Sequence, residues 1–268
     1  MGIALVAGCS LIAFGPSLML WMFVVGKRPA LVIIAIVSAF YWLASIALAS
    51  LLWTMFPPAQ GVWILTVTVG VLLQGFGRVA LARMYTKTER VINEVKTRAY
   101  DRVEDGDTVG GGPSRRCGEE ENSERRSLLK LNGLSSSIAA GVGWGAMHAA
   151  AVVGTVLAKH TGAGAAFSPS CPRIPSAIIS AVSAQAFVWL DLLLMGAVFS
   201  YARFGDVRLV SYSFGLHYLA ALTTCFNFID GGCVAALPLL YSVVVLSAIV
   251  MRKLGVLTLT FVPRAHTR

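Results

Sequence analysis

Seven apolar runs, separated by polar breaks, pattern the chain. They cover residues 3–25, 31–53, 62–81, 131–157, 176–201, 209–229 and 234–251. Each is near the ~20 residues a helix needs to cross ~30 Å of hydrocarbon. Backbone groups in lipid find no water, so each run must satisfy its own hydrogen bonds as a helix. The pattern predicts an all-α membrane protein with seven transmembrane helices, forming a single domain over residues 1–268. Pro16 withholds a bond from the Ile12 carbonyl and predicts a kink in the first helix.

One break is long. In the hydrophilic stretch 82–130, the first part, ARMYTKTERVINEVKTRAY, can extend the third helix beyond the membrane. The second part, RVEDGDTVGGGPSRRCGEEENSERR, is rich in charge and glycine and poor in large apolar residues. It is expected to be disordered. The loop is placed at about 83–130, on the cytosolic side.

Composition agrees with the pattern. Hydrophobic residues make up 56% of the chain and charged residues 13%, against about 25% charged in soluble domains. The net charge of +9 would suit a nucleic-acid partner, but its distribution excludes one. Twelve of the 22 basic residues lie within 78–130, among ten acidic ones. The remainder flank apolar runs, facing lipid headgroups. Loops one, three and five and the C-terminal tail carry most of the Lys and Arg. This places the N-terminus outside or in the lumen and the C-terminus in the cytosol.

The five cysteines show no CxxC and no spacing with histidine that would suit zinc. No cofactor motif is present, and GGG lacks the strand and GK[ST] of a phosphate loop. On this topology Cys171 and Cys233 both face the oxidising side. They are either a disulfide or two separate thiols.

Small residues recur every fourth position in the fourth run, at Gly133, Ser137, Gly141, Gly145 and Ala149. On a helix they form a stripe that admits another backbone closely. The stripe serves either the protein's own bundle or a partner protein. Ionisable residues inside the membrane are few: Arg78, His148, Asp191 and His217, with Gln74 as a neutral companion. Arg78 sits near the end of its run and reads as a snorkelling side chain. His148 reads as a hydrogen-bonded core residue. Asp191 and His217 lie roughly 12–15 Å from the cytosolic ends of adjacent helices. They are expected to pair, with Gln74 at a similar depth, either for structure or as a contact for a partner subunit.

Catalytic readings fare poorly. An aspartyl protease needs two carboxylates sharing a proton, and only Asp191 lies deep in a run. Ser135 and His217 imitate a rhomboid dyad, but the serine lies near the cytosolic surface and the closing glycine is missing. HExxH is absent. Receptor motifs at the ends of helices three and seven are also absent, as are the paired broken helices of transporters. An independent transporter or intramembrane hydrolase using Asp191 and His217 remains the rival reading.

GCSLIAFGPSLMLW, AFYWLASIALASLLW and VLLQGFGR resemble helices one to three of the anterior pharynx-defective protein family, the seven-pass scaffold of gamma-secretase. GLSSSIAAG resembles its helix four, GLHYLAALTTCFNF its helix six and ALPLLYSV the start of helix seven. The resemblance implies a noncatalytic scaffold, without metal or cofactor. Its partners would be a presenilin-like protease, a nicastrin-like subunit, a presenilin enhancer-like subunit and membrane lipids. It also implies an endoplasmic reticulum and Golgi location, extending to the plasma membrane or endosomes, and processing of membrane proteins, with Notch signalling among its outputs. Gly133 and Gly141 match the outer glycines of the helix-four motif, and His217 the helix-six histidine. Three departures stand out. Ser137 replaces the middle glycine; it is still small and can hydrogen-bond across helices. Asp191 or Leu192 stands where the family has a helix-five histidine, and Gly75 where it has a carboxylate.

Overall fold

The computed structural model describes residues 3–56, 62–106, 133–159 and 166–254. Seven helices follow the seven apolar runs: α1 (Ile3–Leu20), α2 (Pro29–Met55), α3 (Trp63–Gly106), α4 (Gly133–Lys159), α5 (Ser176–Phe204), α6 (Val207–Thr224) and α7 (Cys233–Lys253). All seven are long and apolar enough to cross a membrane. α1 continues through Pro16 and widens into a π-helical turn at Trp21–Val25, which the Gly26 N–H closes onto the Trp21 carbonyl at 2.6 Å.

α3 outlasts its apolar run. Lys, Arg and Glu are good helix formers, so charge ends the hydrophobicity of this segment without ending its helicity. The stretch ARMYTKTERVINEVKTRAY extends the third helix, as its sequence allows, and the helix continues to Gly106, so the loop placed at about 83–130 is helical over 83–106. The rest of that loop, 107–132, lies outside the described residues.

α4 and α5 form the centre of the bundle. More than half of each apolar span is buried, 56% and 61%, against at most 33% for any other helix. α1 and α2 pack on one side of this pair and α6 and α7 on the other, with α3 contacting α2, α5 and α6. α5 and α6 form the expected antiparallel hairpin. Gly205, at φ 75°, ends α5 in the left-handed region, which glycine adopts without a Cβ clash. Asp206 then caps α6 by accepting the Arg208 backbone N–H at 3.1 Å. Side-chain hydrogen bonding from Arg208 holds the Asp206 carboxyl below the usual carboxylate range.

Among the described residues, the one pair of strands is a short hairpin, β1 (Phe167–Ser168) antiparallel to β2 (Cys171–Pro175). It sits at the end of the bundle where α5 and α7 begin. Cys171 and Cys233 are joined by a disulfide, with Cα atoms 5.8 Å apart. The Pro169 and Ser170 carbonyls accept the backbone N–H groups of Gly231 and Cys233. Closing a loop between residues 62 apart stabilises a fold by typically ~2–4 kcal/mol. Two additional thiols are expected to react with a maleimide polymer after reduction of the denatured protein. Cys171→Ser is expected to lower thermal stability and remove that gain.

At the opposite end, the extension of α3 is fastened to the end of α5. Arg203 bonds both carboxylate oxygens of Glu89, at 3.0 and 2.9 Å. Arg83 donates to the Tyr201 hydroxyl at 2.7 Å. The Glu89–Arg203 pair is partly exposed, so Glu89→Gln is expected to lower stability by no more than ~1 kcal/mol. A double-mutant cycle with Arg203→Gln, read by thermal unfolding, checks the value.

Candidate functional site

A polar cluster lies buried where α3, α4, α5 and α6 meet. Arg78 on α3 is 1% exposed and Asp191 on α5 is fully buried. They form an ion pair in which Arg78 Nη2 donates to Asp191 Oδ1. Arg78 Nη1 also reaches His217 Nδ1 on α6 at 2.8 Å. The second carboxylate oxygen of Asp191 meets His148 Nδ1 on α4 at 2.9 Å. Four helices thus contribute one side chain each to a chain running His217–Arg78–Asp191–His148. The Arg78 guanidinium also stands over the Trp144 ring, 5.0 Å from its centre, a cation–π arrangement that helps hold a charge away from water.

Sequence supports this geometry locally. Gln74, Arg78, Leu81 and Ala82 fall three or four apart, on one face of α3, and all four are buried. Trp144 and His148 are likewise one turn apart on α4. Arg78 can hold two partners because its planar fork presents donors at fixed angles.

The structure corrects two expectations. Arg78 does not snorkel; it is the centre of the cluster. Asp191 and His217 do not pair directly, since Arg78 stands between them and bonds to both. The Ser137 hydroxyl donates to the Leu134 carbonyl of its own helix at 2.9 Å. Gln74 lies one turn from Arg78, but its Oε1 is buried without a hydrogen-bond partner. His148, read as a core residue, is the fourth member of the chain. The fixed four-residue step from Gln74 to Arg78 was the available signal for Arg78.

Parts of the small stripe close against α5. A Cβ on Gly141 would lie 2.9 Å from the Leu192 Cα, and one on Gly145 3.2 Å from the Val188 Cα. Val188 and Leu192 flank Asp191, so this contact sets the depth at which Asp191 meets His148. Gly133 makes room for a side chain instead, since a Cβ there would run into the Arg203 guanidinium. A second close approach, on another face of α4, escaped the four-residue register. Gly143 rests against the Ala35 backbone of α2, and Ser38 donates to the Ala140 carbonyl across the same seam at 2.6 Å.

Beside the cluster is a cavity of about 490 Å³, lined by Gln74, His148 and His217 at its floor and by Ser168, Ser170 and Asn227 toward the disulfide end. Among the described residues, no group of three or more His, Cys, Asp or Glu side chains is placed to hold a metal ion.

The Aph-1 protein family matches residues 4–255 of this sequence. The chain belongs to that family. A relative from Arabidopsis thaliana, named gamma-secretase subunit APH1-like, is 29% identical over 254 residues, 93% of this chain and 92% of its own length. Gamma-secretase subunit Aph-1b of Danio rerio is 36% identical over 96 residues, 32% of this chain and 37% of the relative. Gamma-secretase subunit APH-1B of Homo sapiens is 46% identical over 48 residues, 18% of this chain and 19% of the relative. The plant relative is thus matched along nearly its whole length, whereas the two animal relatives are matched over 37% and 19% of theirs.

Proposed function

We propose that this Aph-1 family chain is a noncatalytic scaffold subunit of a gamma-secretase-type intramembrane protease. In this reading it assembles with a presenilin-like protease, a nicastrin-like subunit and a presenilin enhancer-like subunit. The observation that carries the proposal is the family match along nearly the whole chain, together with the names of the relatives. The geometry of the cluster supports it. Asp191 is the one carboxylate there, and both its oxygens are engaged, by Arg78 and His148. An aspartyl dyad needs a second carboxylate beside it. His217 Nδ1 is engaged by Arg78. A network of hydrogen bonds and one buried ion pair joining four helices suits a part that holds a shape. Asp191 and His217, with Arg78 and His148, fix the relative depth of α3 to α6. Gly133, Gly141 and Gly145 let α4 and its neighbours come close enough to do so.

The orientation follows the basic residues. Lys27, Arg28, Arg83, Arg203, Arg208, Arg252 and Lys253 mark the helix ends opposite the disulfide. The disulfide-bearing end is assigned to the lumen and the basic end to the cytosol. A place in the endoplasmic reticulum and Golgi, then in the plasma membrane or endosomes, accords with assembly of such a complex and with processing of membrane proteins, Notch-type receptors included. The rival reading, a transporter or hydrolase using Asp191 and His217, would require the cluster to release one of its members.

Cleavage assays test the noncatalytic part. The purified chain alone is expected to leave a transmembrane substrate intact. A complex carrying Asp191→Asn, corrected for its amount, is expected to retain cleavage. Full loss of cleavage in a complex of normal amount would move Asp191 into the chemistry and overturn the proposal.

A further inference from the structure

We propose that an outward-facing stripe of α5, centred on Gln185 and Trp189, is the docking site for one transmembrane helix of a partner subunit. That helix brings the side chain of a Ser, Thr, Asn or Gln to the Gln185 carboxamide. The proposal rests on the scaffold reading and adds to it where a partner is held and by what group. α5 is the most buried span of the bundle, yet it is not covered all round. α1 and α4 cover its Ala181, Ala184 and Val188 face. α6 and α7 cover its Ala186 and Leu190 face. Between the two faces, Val182, Gln185, Trp189 and Leu193 recur three or four residues apart, as one stripe along the helix. Val182, Gln185 and Leu193 are half-buried, and Trp189 is 42% exposed.

This stripe is poorly suited to lipid. Trp189 stands at the middle of α5, whereas tryptophan in contact with lipid favours the headgroup level. Gln185 lies one turn away. Its Oε1 accepts from the Tyr241 hydroxyl of α7 at 3.0 Å, and the same hydroxyl lies 3.2 Å from the Val182 carbonyl. One hydroxyl serves one end of a carboxamide. Among the described residues the other end of Gln185 has no protein partner, and it is not enclosed within the fold. Turning the amide end for end exchanges which group is left over and leaves the count the same. An acyl chain offers neither donor nor acceptor, and an amide left bare in hydrocarbon costs free energy. A hydroxyl or carboxamide on a neighbouring helix both donates and accepts, so it answers either end of Gln185. A charged side chain there would find no counter-charge. A second copy of this chain fits less well, because its own α5 is flanked by α1 and α7 in the same way.

The test uses the assembled complex, purified from its membranes in mild detergent. Trp189 is replaced by the photo-crosslinking residue p-benzoylphenylalanine, the complex is illuminated, and the adducts are mapped by mass spectrometry. The expected adduct is a transmembrane peptide of another subunit, with a Ser, Thr, Asn or Gln within one helical turn of the attachment point. Gln185→Leu is expected to lower the retained amount of that subunit roughly three- to tenfold. The thermal midpoint of the chain alone should stay near native, since Tyr241 keeps the Val182 carbonyl. Tyr241→Phe separates docking from packing within the chain. It removes the hydroxyl that joins α7 to α5 and keeps the carboxamide, so retention of the subunit should stay near native. An adduct to lipid alone or to a second copy of the chain, full retention by Gln185→Leu, or equal losses in Gln185→Leu and Tyr241→Phe would overturn the proposal and leave the scaffold reading standing. A native chain that retains no partner subunit would overturn the scaffold reading and this docking site with it.

Discussion

Arg78→Met is expected to lower the stability of the chain by about 3–5 kcal/mol, the range found when one partner of a buried ion pair is removed. Folded proteins are stable by only ~5–15 kcal/mol, so little folded material should survive extraction from the membrane. The large effect comes from Asp191. It is fully buried and would keep His148 as its one partner while losing the cation that balances it. His217 Nδ1 would lose its donor as well. Arg78→Lys is expected to fall between, because an ammonium lacks the planar fork that serves Asp191 and His217 together. The decisive comparison is Arg78→Met with Asp191→Leu. Removing both charges takes away the desolvation problem, so the double variant should be more stable than Arg78→Met alone. Fluorescence-detected size exclusion and thermal unfolding in mild detergent give both quantities. Additive losses in the double variant would show that the two charges do not pair.

Gly143→Ala is the second large effect. One added methyl would meet the Ala35 backbone, and backbone cannot step aside as the end of a side chain can. α2 and α4 must separate, which strains the Ser38–Ala140 hydrogen bond across the seam. A loss of at least ~1–3 kcal/mol is expected, as for other overpacked interiors. Gly154→Ala is the control on the same helix. A Cβ there meets nothing within 4 Å, so its thermal midpoint should stay near that of the native chain. Equal midpoints for the two variants would show that the α2–α4 approach does not limit the fold.

The seven helices were legible because a bilayer leaves each apolar run one way to satisfy its backbone. The hairpin was not. Its seven residues, FS and CPRIP, are too few for a period and include two prolines. The extension of α3 beyond its apolar run was legible in the helix-forming charged residues that follow it. Ending the apolar run at residue 81 nevertheless put Arg78 near a surface, where snorkelling was the natural reading. Depth along the helices brought Asp191 and His217 to one level, as the structure does, but a third residue joins them. Depth alone does not reveal such a bridge, because it ranks residues by height and ignores which helix face they occupy. The stripe on α4 was read in one register, through Gly133, Ser137, Gly141 and Gly145. The closest helix approach that involves backbone on another face, at Gly143, falls between those positions.

The most direct test of the scaffold role is affinity purification of the tagged chain from its native membranes in mild detergent, with mass spectrometry of what is retained. The scaffold reading predicts a presenilin-like protease and a nicastrin-like subunit in near-equal amounts to the chain, with Arg78→Met depleting all of them together. Recovery of the native chain as a single monodisperse species, with neither partner present, would contradict it.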